Sequence, residues 1–196
     1  MRKFAIPLFA LLAAAMVGCE TSTPNSQAQK ASMRDETQSA LNKFESQDPG
    51  LRNLLNSSSY AIFPDIGKAA VGIGGAHGQG EVFRNGQMVG YVTMDQASIG
   101  PQVEGESYSE LIVFQNEHAL NRLMNNSLEF GAQTSAEFVK AGAAAAGSFN
   151  NGVRVFILPR GGLGAGASIS GQKFHFTPAN NANTASYDNN GNYNNR

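Results

Sequence analysis

The stretch Val82-Phe-Arg-Asn-Gly-Gln-Met-Val89 decides the fold class of this chain. Its central Asn85-Gly86 pair is the strongest short-range signal for a two-residue β-hairpin, because a type I′ turn needs positive φ at both central positions. Apolar residues flank the pair on both sides. The sequence therefore predicts two antiparallel strands joined by this turn, one over residues 70–83 and one over residues 88–94.

Further strands are predicted on both sides of this hairpin. Alternating or β-branched apolar residues predict strands over residues 60–63 (ended by Pro64), 97–104, 108–115, 153–158, 163–170 and 172–176. Asn151-Gly152 is a second turn, and residues 159–162 form a third. The stretch 128–146 has both patterns: the alternation from Phe130 to Phe138 favours a strand, which we predict, while its Ala-rich end favours a helix. The conformation of residues 143–146 stays open.

Helical spacing of apolar residues appears near the start of the chain and again in its middle. Met33, Thr37, Leu41 and Phe44 predict an amphipathic helix, which Asp48-Pro-Gly50 interrupts before a short second turn; residues 117–124 predict another helix. The first helix either packs on the domain or contacts a membrane surface. The fold class predicted is α+β: predominantly antiparallel β in a curved or barrel-like sheet, with an N-terminal amphipathic helix and one or two further short helices. Glycines inside the strands indicate sharp bends or close backbone approach.

Residues 1–18 predict an export signal. Met1-Arg-Lys3 is positively charged, and the apolar run from Phe4 to Gly18 would reach only about 22 Å as a helix, short of the roughly 30 Å of a bilayer core. The run ends in Met16-Val-Gly-Cys19, which resembles the lipobox of bacterial lipoproteins. Cys19, the only cysteine, is therefore predicted to carry the acyl chains, and two or three chains anchor firmly. Because Glu20 follows it, and not the Asp typical of inner-membrane retention, we expect attachment to the periplasmic face of the outer membrane.

The predicted organisation is a signal peptide (1–18), a lipidated flexible tether (19–32), one domain (33–176) and a disordered Asn-rich tail (177–196). The mature chain would hold 12 Lys and Arg against 15 Asp and Glu, a net charge of about −3. Such a balance lacks the basic stripe of a nucleic-acid-binding protein. We therefore expect no nucleic-acid partner, and the sequence names no protein partner.

Catalytic and metal-binding patterns are missing from the sequence. The glycines from Gly72 to Gly80 fit neither dinucleotide-binding nor P-loop spacing, and there is no nucleophile elbow. His77, His118 and His175 are isolated from other ligands. Glu104, Glu106 and Glu110 are close in sequence and are interpreted as a solvated strand face. We predict that the protein is not an enzyme and has no cofactor and no metal.

Five segments, in order, resemble the blocks of the SYLF domain family. They are Tyr60-Ala-Ile-Phe-Pro through the Gly-rich run to Gly80, Ser98-Ile-Gly-Pro-Gln-Val-Glu-Gly105, Glu110-Leu-Ile-Val-Phe-Gln-Asn116, Leu128-Glu-Phe-Gly-Ala132 and Arg160-Gly-Gly-Leu-Gly-Ala-Gly-Ala-Ser-Ile-Ser-Gly171. The resemblance covers residues 51–176. The chain departs from the eukaryotic pattern after the fourth block, where Lys140-Ala-Gly-Ala-Ala-Ala-Ala146 replaces the usual Gly-Pro-x-Gly.

The resemblance implies lipid binding. Eukaryotic SYLF members bind phosphoinositide membranes and some associate with actin assembly, whereas bacterial members are exported, often as lipoproteins. We carry over anionic-lipid binding and leave actin out. Lys68 and Arg160, on family-matched segments, are the first candidates for headgroup contacts, followed by Arg84 and Lys173. The alternative is a structural or interaction lipoprotein of the envelope without lipid specificity, in which glycines four residues apart, such as Gly74 and Gly78, pack helices.

Overall fold

The computed structural model describes residues 23–71, 73–98, 107–131, 133–160 and 169–179, together with two residue pairs, 186–187 and 193–194. Its helices are α1 (Gln27–Gln47), α2 (Gly50–Asn56), α3 (Glu117–Met124) and α4 (Ala143–Ala146). Its strands are β1 (Ser59–Val71), β2 (Ile73–Arg84), β3 (Gln87–Ser98), β4 (Ser107–Phe114), β5 (Glu129–Phe130), β6 (Ala136–Phe138), β7 (Val153–Pro159), β8 (Gln172–Pro178), β9 (Ser186–Tyr187) and β10 (Tyr193–Asn194).

Eight strands form one curled sheet in the order β5-β8-β3-β2-β1-β4-β7-β6, while β9 pairs with β10 alone. Neighbouring strands are antiparallel except for β6 and β7, which are parallel. The side chain of Gln172 on β8 donates to that of Glu110 on β4 although three strands lie between them. The sheet therefore curls into a half-barrel, which confirms the predicted α+β fold with a curved antiparallel sheet.

The hairpin that decides the fold has the predicted turn. Asn85 and Gly86 have φ values of 50° and 76°, and Gln87 pairs with Arg84 directly after them. Asn151 and Gly152 repeat this geometry with φ values of 49° and 79° before β7. Both turns need the left-handed backbone that Asn and Gly adopt at low cost.

Two apolar clusters lie on opposite faces of the sheet. The concave face carries Phe63, Ile112 and Phe174, closed by Leu120 of α3. The other face carries Ile62, Leu111 and Phe156 beneath α1 and α2. Successive residues of a strand point to opposite faces, so Tyr60–Phe63 of β1 and Leu111–Phe114 of β4 are apolar at every position because both faces are covered there.

Pro64 does not end the first strand, contrary to the prediction. β1 continues to Val71, and its register with β2 shifts between Ile62 and Asp65, so that Pro64 lies in a bulge. A bulge leaves one residue out of the ladder, so the missing N–H of proline costs nothing there. Ser109 Oγ donates to the Pro64 carbonyl at 2.6 Å and satisfies it.

Three other predicted boundaries are wrong. β3 runs unbroken to Ser98, because the polar Asp95 and Gln96 keep pairing with β8. The segment before residue 143 contains two short strands, β5 and β6, and not one, while residues 143–146, for which the sequence leaves the conformation open, form the one-turn helix α4. Helix α1 begins at Gln27, six residues before Met33 and inside the segment predicted as a tether, because Ser26 and Gln29 form a capping box.

Several predictions fall on residues outside those described. They concern the signal peptide and Cys19, most of the strand over 97–104, most of the strand over 163–170, and most of the Asn-rich tail. The glycine-zipper alternative is wrong for the pair that can be placed. Gly74 and Gly78 lie in β2, where they cannot pack helices.

Candidate functional site

Three of the four predicted headgroup contacts lie at one end of the sheet. Gly67 on β1 pairs with His77, which pairs with Asp95, which pairs with Lys173 on β8. In the other direction Gly67 pairs with Ser107, whose carbonyl accepts from the Arg160 backbone N–H at 3.0 Å. Lys68 follows Gly67 on β1. The strand register therefore puts Lys68, Arg160 and Lys173 at one level, which we call the Gly67 end.

Arg160 is tied to the bulge of β1. Its guanidinium donates to the Pro64 carbonyl at 2.9 Å and contacts an Asp65 carboxylate oxygen at 3.4 Å, with 38% of the side chain exposed. It lines a groove of about 260 Å³ between the bulge and α1, which contributes Glu36 and Lys43 to the lining. Arg160 therefore has a structural role at Pro64 and a solvent-facing side toward the groove.

Lys173 is the most exposed of the described candidates. Its ammonium lies 3.3 Å from Glu129 on the edge strand β5, and 72% of its side chain is exposed. An exposed pair of this kind is held weakly and can exchange its partner. For Lys68 the structure gives the backbone pairing with Ala76; its side chain is outside the described part.

Arg84 lies at the opposite end of the sheet. Phe83 pairs with Tyr60, six residues along β1 from Ile66, a separation of about 20 Å at the usual rise of a strand. Arg84 contacts Glu117 at 3.1 Å and donates to Asn121 at 3.3 Å. Arg84 therefore joins the β2–β3 hairpin to α3, and the four predicted contacts do not form one cluster.

Helix α1 turns its apolar side to the sheet. Met33, Ala40, Leu41 and Phe44 are buried, and the exposed positions between them are polar or charged. This arrangement fits the reading of α1 as a helix packed on the domain, because no apolar stripe is left for a membrane surface. None of the helices among the described residues is both long and apolar enough to cross a bilayer.

A buried polar cluster occupies the concave face, and sequence reasoning missed it. Glu110 and Gln172 have 0% exposure. Gln172 Nε2 donates to Glu110 Oε2 at 2.9 Å and to the Tyr108 hydroxyl at 3.2 Å. Gln96 Nε2 donates to the Ser170 carbonyl at 3.0 Å beside them. The assignment of Glu110 to a solvated face is wrong, while Glu104 and Glu106 are outside the described residues.

The alternation of side chains along β4 indicates that Glu110 belongs to this buried cluster. Tyr108, Glu110, Ile112 and Phe114 point to one face, and three of the four are apolar or aromatic. A carboxylate in such a row is placed in the core if both faces of the strand are covered. The single charged residue of β4, Glu110, therefore belongs with the apolar residues of its own face and not with the glutamates that precede it in sequence.

A second missed group is structural. Arg154 on β7 is buried, donates to both carboxylate oxygens of Glu137 at 3.2 and 3.0 Å, and donates to the Ala143 and Ala144 carbonyls at 2.8 Å each. Asp48 accepts from the backbone N–H of Ala144 at 2.6 Å. These two side chains hold the ambiguous segment 136–146 onto the sheet and onto the α1–α2 junction.

The three histidines lie apart from one another in the structure. His77 Nδ1 lies 2.8 Å from Asp95, and His118 and His175 are exposed. Within the part of the chain that the structure describes, no group of three or more His, Cys, Asp or Glu residues is arranged to hold a metal ion.

The fold defines the class of the protein as an α+β domain built on a curled antiparallel half-barrel with both faces covered. A family model, Ysc84, described as "Las17-binding protein actin regulator", matches residues 95–194, just over half of the chain. The chain belongs to this family, which confirms the SYLF resemblance. No curated protein matches the chain.

The family match includes two of the four residues that are predicted to contact lipid headgroups. Arg160 and Lys173 lie inside residues 95–194, whereas Lys68 and Arg84 precede them. The match also contains Glu110 and Gln172. It continues past Phe176, the predicted end of the domain, into the Asn-rich segment.

Proposed function

We propose that this protein is a non-catalytic lipoprotein of the cell envelope, anchored through Cys19, whose Ysc84 domain binds anionic lipid headgroups at the Gly67 end of its sheet. The observation that carries the proposal is the placement of Lys68, Arg160 and Lys173 at one level of a domain from a binding family. Anchoring at the periplasmic face of the outer membrane is part of the proposal and rests on Cys19 and Glu20.

The mature chain would carry a net charge of about −3, so an anionic membrane would repel it overall. Attraction to the membrane must therefore come from a local group of basic side chains. Arg160 and Lys173 each have a carboxylate neighbour, Asp65 and Glu129. A phosphate headgroup would compete with these carboxylates for exposed cations. Each basic side chain near an anionic surface contributes on the order of 1 kcal/mol, so three of them give weak binding that the acyl anchor makes effective by holding the domain at the membrane.

The test is co-sedimentation of the full chain carrying Cys19→Ser with phosphatidylglycerol vesicles. Lys68→Glu and Lys173→Glu should each reduce the bound fraction several-fold, and binding of the parent should fall steeply as salt rises, because the Debye length is only about 8 Å at physiological ionic strength. Arg52→Glu is the matched control: Arg52 lies on α2, which leads into the Ser59 end of β1 opposite the Gly67 end, and its side chain, 70% exposed, pairs with Glu45 of α1. Equal loss in Arg52→Glu, or no sedimentation at low salt, would contradict headgroup binding at this end.

The acyl anchor is tested in cells that express the chain with Cys19 or with Cys19→Ser. The chain with Cys19 should incorporate radiolabelled palmitate and fractionate with the outer membrane, and the Cys19→Ser chain should do neither. Palmitate incorporation that survives Cys19→Ser would refute the anchoring part of the proposal without touching the headgroup part.

The family description favours a second candidate, an interaction lipoprotein of the envelope. It names a protein partner, and residues 95–194 match it. The vesicle experiment separates the two candidates, because a domain that contacts only protein would leave the vesicles unbound at any salt concentration.

A further inference from the structure

Glu110 is a buried carboxylate that contacts no cation among the described residues. It is 0% exposed and lies in β4 between Phe63 of β1 and Ile157 of β7, its direct pairing neighbours. Across the concave face it meets Gln172 of β8. Among the described residues around it, Tyr108 is the one other titratable group, and burial and the Glu110 charge together raise the pKa of that hydroxyl. Arg154 and Lys173, the described cations on β7 and β8, point to the other face of the sheet.

The Glu110 and Gln172 side chains satisfy only part of their hydrogen-bonding capacity. Gln172 Nε2 donates to Glu110 Oε2 at 2.9 Å, whereas Glu110 Oε1 and Gln172 Oε1 are buried and have no hydrogen-bond partner within the described part of the chain. Both atoms are acceptors when Glu110 is ionised, so neither can satisfy the other. Two unsatisfied buried acceptors, one of them charged, are costly. One proton on Glu110 Oε1 removes the buried charge and supplies the donor that Gln172 Oε1 lacks.

We infer that Glu110 is a neutral carboxylic acid in the folded protein, and that its cyclic acid–amide pair with Gln172 clasps β4 to β8 across the curled sheet only while the proton is bound. Three strands, β3, β2 and β1, separate β4 from β8 in the sheet. A hydrogen bond between the side chains of β4 and β8 therefore stabilises the curvature of the sheet, because these two strands do not pair with each other. The inference is independent of lipid binding.

The direction of the pH dependence follows from the burial. Burial raises the pKa of Glu110 from 4.5 to about 7, although the Gln172 hydrogen bond opposes the rise. Between these two pH values the folded protein binds more protons than the unfolded chain, so stability falls as pH rises. The unfolding equilibrium constant should rise by up to tenfold per pH unit from pH 4.5 to 7 and then level off.

Glu81 requires a control, because it is a second buried glutamate, 2% exposed, on the opposite face of the sheet. Burial raises the pKa of its carboxyl as well. The contribution of Glu81 to the pH dependence of stability is separated from that of Glu110 by substituting each residue with glutamine. Glu110→Gln keeps the pair, since an amide N–H replaces the acid O–H as the donor to Gln172 Oε1. Glu81→Gln leaves the pair untouched.

The experiment is urea unfolding of the full chain from pH 4.5 to 8, with ¹³C NMR of the glutamate carboxyl carbons. In the parent and in Glu81→Gln one carboxyl should titrate near pH 7, and amide exchange in β8, corrected for its intrinsic rate, should rise with pH. Both features should be absent in Glu110→Gln. A Glu110 carboxyl that titrates near 4.5 in the parent would overturn the inference even if Glu110→Gln failed to fold. An unchanged pH slope in a folded Glu110→Gln would also overturn it.

Discussion

Two Arg–Glu pairs in this protein have similar distances and very different surroundings. Arg154 is 3% exposed in its side chain and contacts Glu137 at 3.0 Å, whereas Arg52 is 70% exposed and contacts Glu45 at 2.8 Å. An exposed pair is screened by water and costs side-chain entropy, so it contributes little. Removing one partner of a buried pair leaves polar groups without bonds. The two pairs therefore differ in their contribution to the free energy of unfolding because of their burial and not because of their distances.

Arg154→Met should lower the free energy of unfolding by about 3 kcal/mol, because it leaves Glu137 and the Ala143 and Ala144 carbonyls without their donor. Arg52→Met, the matched control, should lower it by less than about 1 kcal/mol. Urea denaturation of the full chain measures both. Equal losses in the two variants would show that Arg154 does not hold the segment 136–146.

At the scale of single elements, the close approach of β1 and β2 depends on a glycine. A Cβ at Gly80 would collide with the backbone carbonyl of Ile62 on β1, next to the bulge at Pro64. A Cβ at Gly67, on the same pair of strands, would have nothing within 4 Å. Frequent glycine in these strands thus marks close contact at some positions and free space at others.

Gly80→Ala should destabilise the protein by about 1–3 kcal/mol, since the backbone of β1 has to move to admit the methyl group. Gly67→Ala should be neutral or slightly stabilising, because alanine restricts the unfolded chain without a steric cost in the strand. Thermal unfolding of the two variants beside the parent gives the comparison. A Gly67→Ala loss as large as that of Gly80→Ala would contradict the steric explanation.

For the whole molecule, the ordered domain is longer at its start than the apolar pattern indicates. The capping box at Ser26 starts α1 at Gln27, and β8 ends at Pro178. Limited proteolysis of the full chain should therefore trim toward these limits and leave a fragment that still contains Gln27 to Ser32. Rapid cleavage between Gln27 and Met33 would show that the first turns of α1 are not protected in solution.

Local signals in the sequence determined much of the fold. Asn85-Gly86 and Asn151-Gly152 determined two turns because few residue types tolerate positive φ. Helix α3 was predicted at Glu117–Met124, where the structure has it, since its start, apolar stripe and end are all within eight residues. The family was also recognisable from short blocks along the chain. These features depend on neighbours in sequence, so sequence reasoning reached them.

The tertiary structure alone decided the features that depend on the curl of the sheet. It placed Glu110 opposite Gln172, 62 residues away in sequence, and so turned a carboxylate with acidic neighbours into a buried one. It let β1 continue through Pro64 because two flanking strands shift register there. It put Arg84 at the end of the sheet opposite the Gly67 end. The physical reason is common to all three: burial and strand register are set by partners distant in sequence, and a local pattern does not contain them.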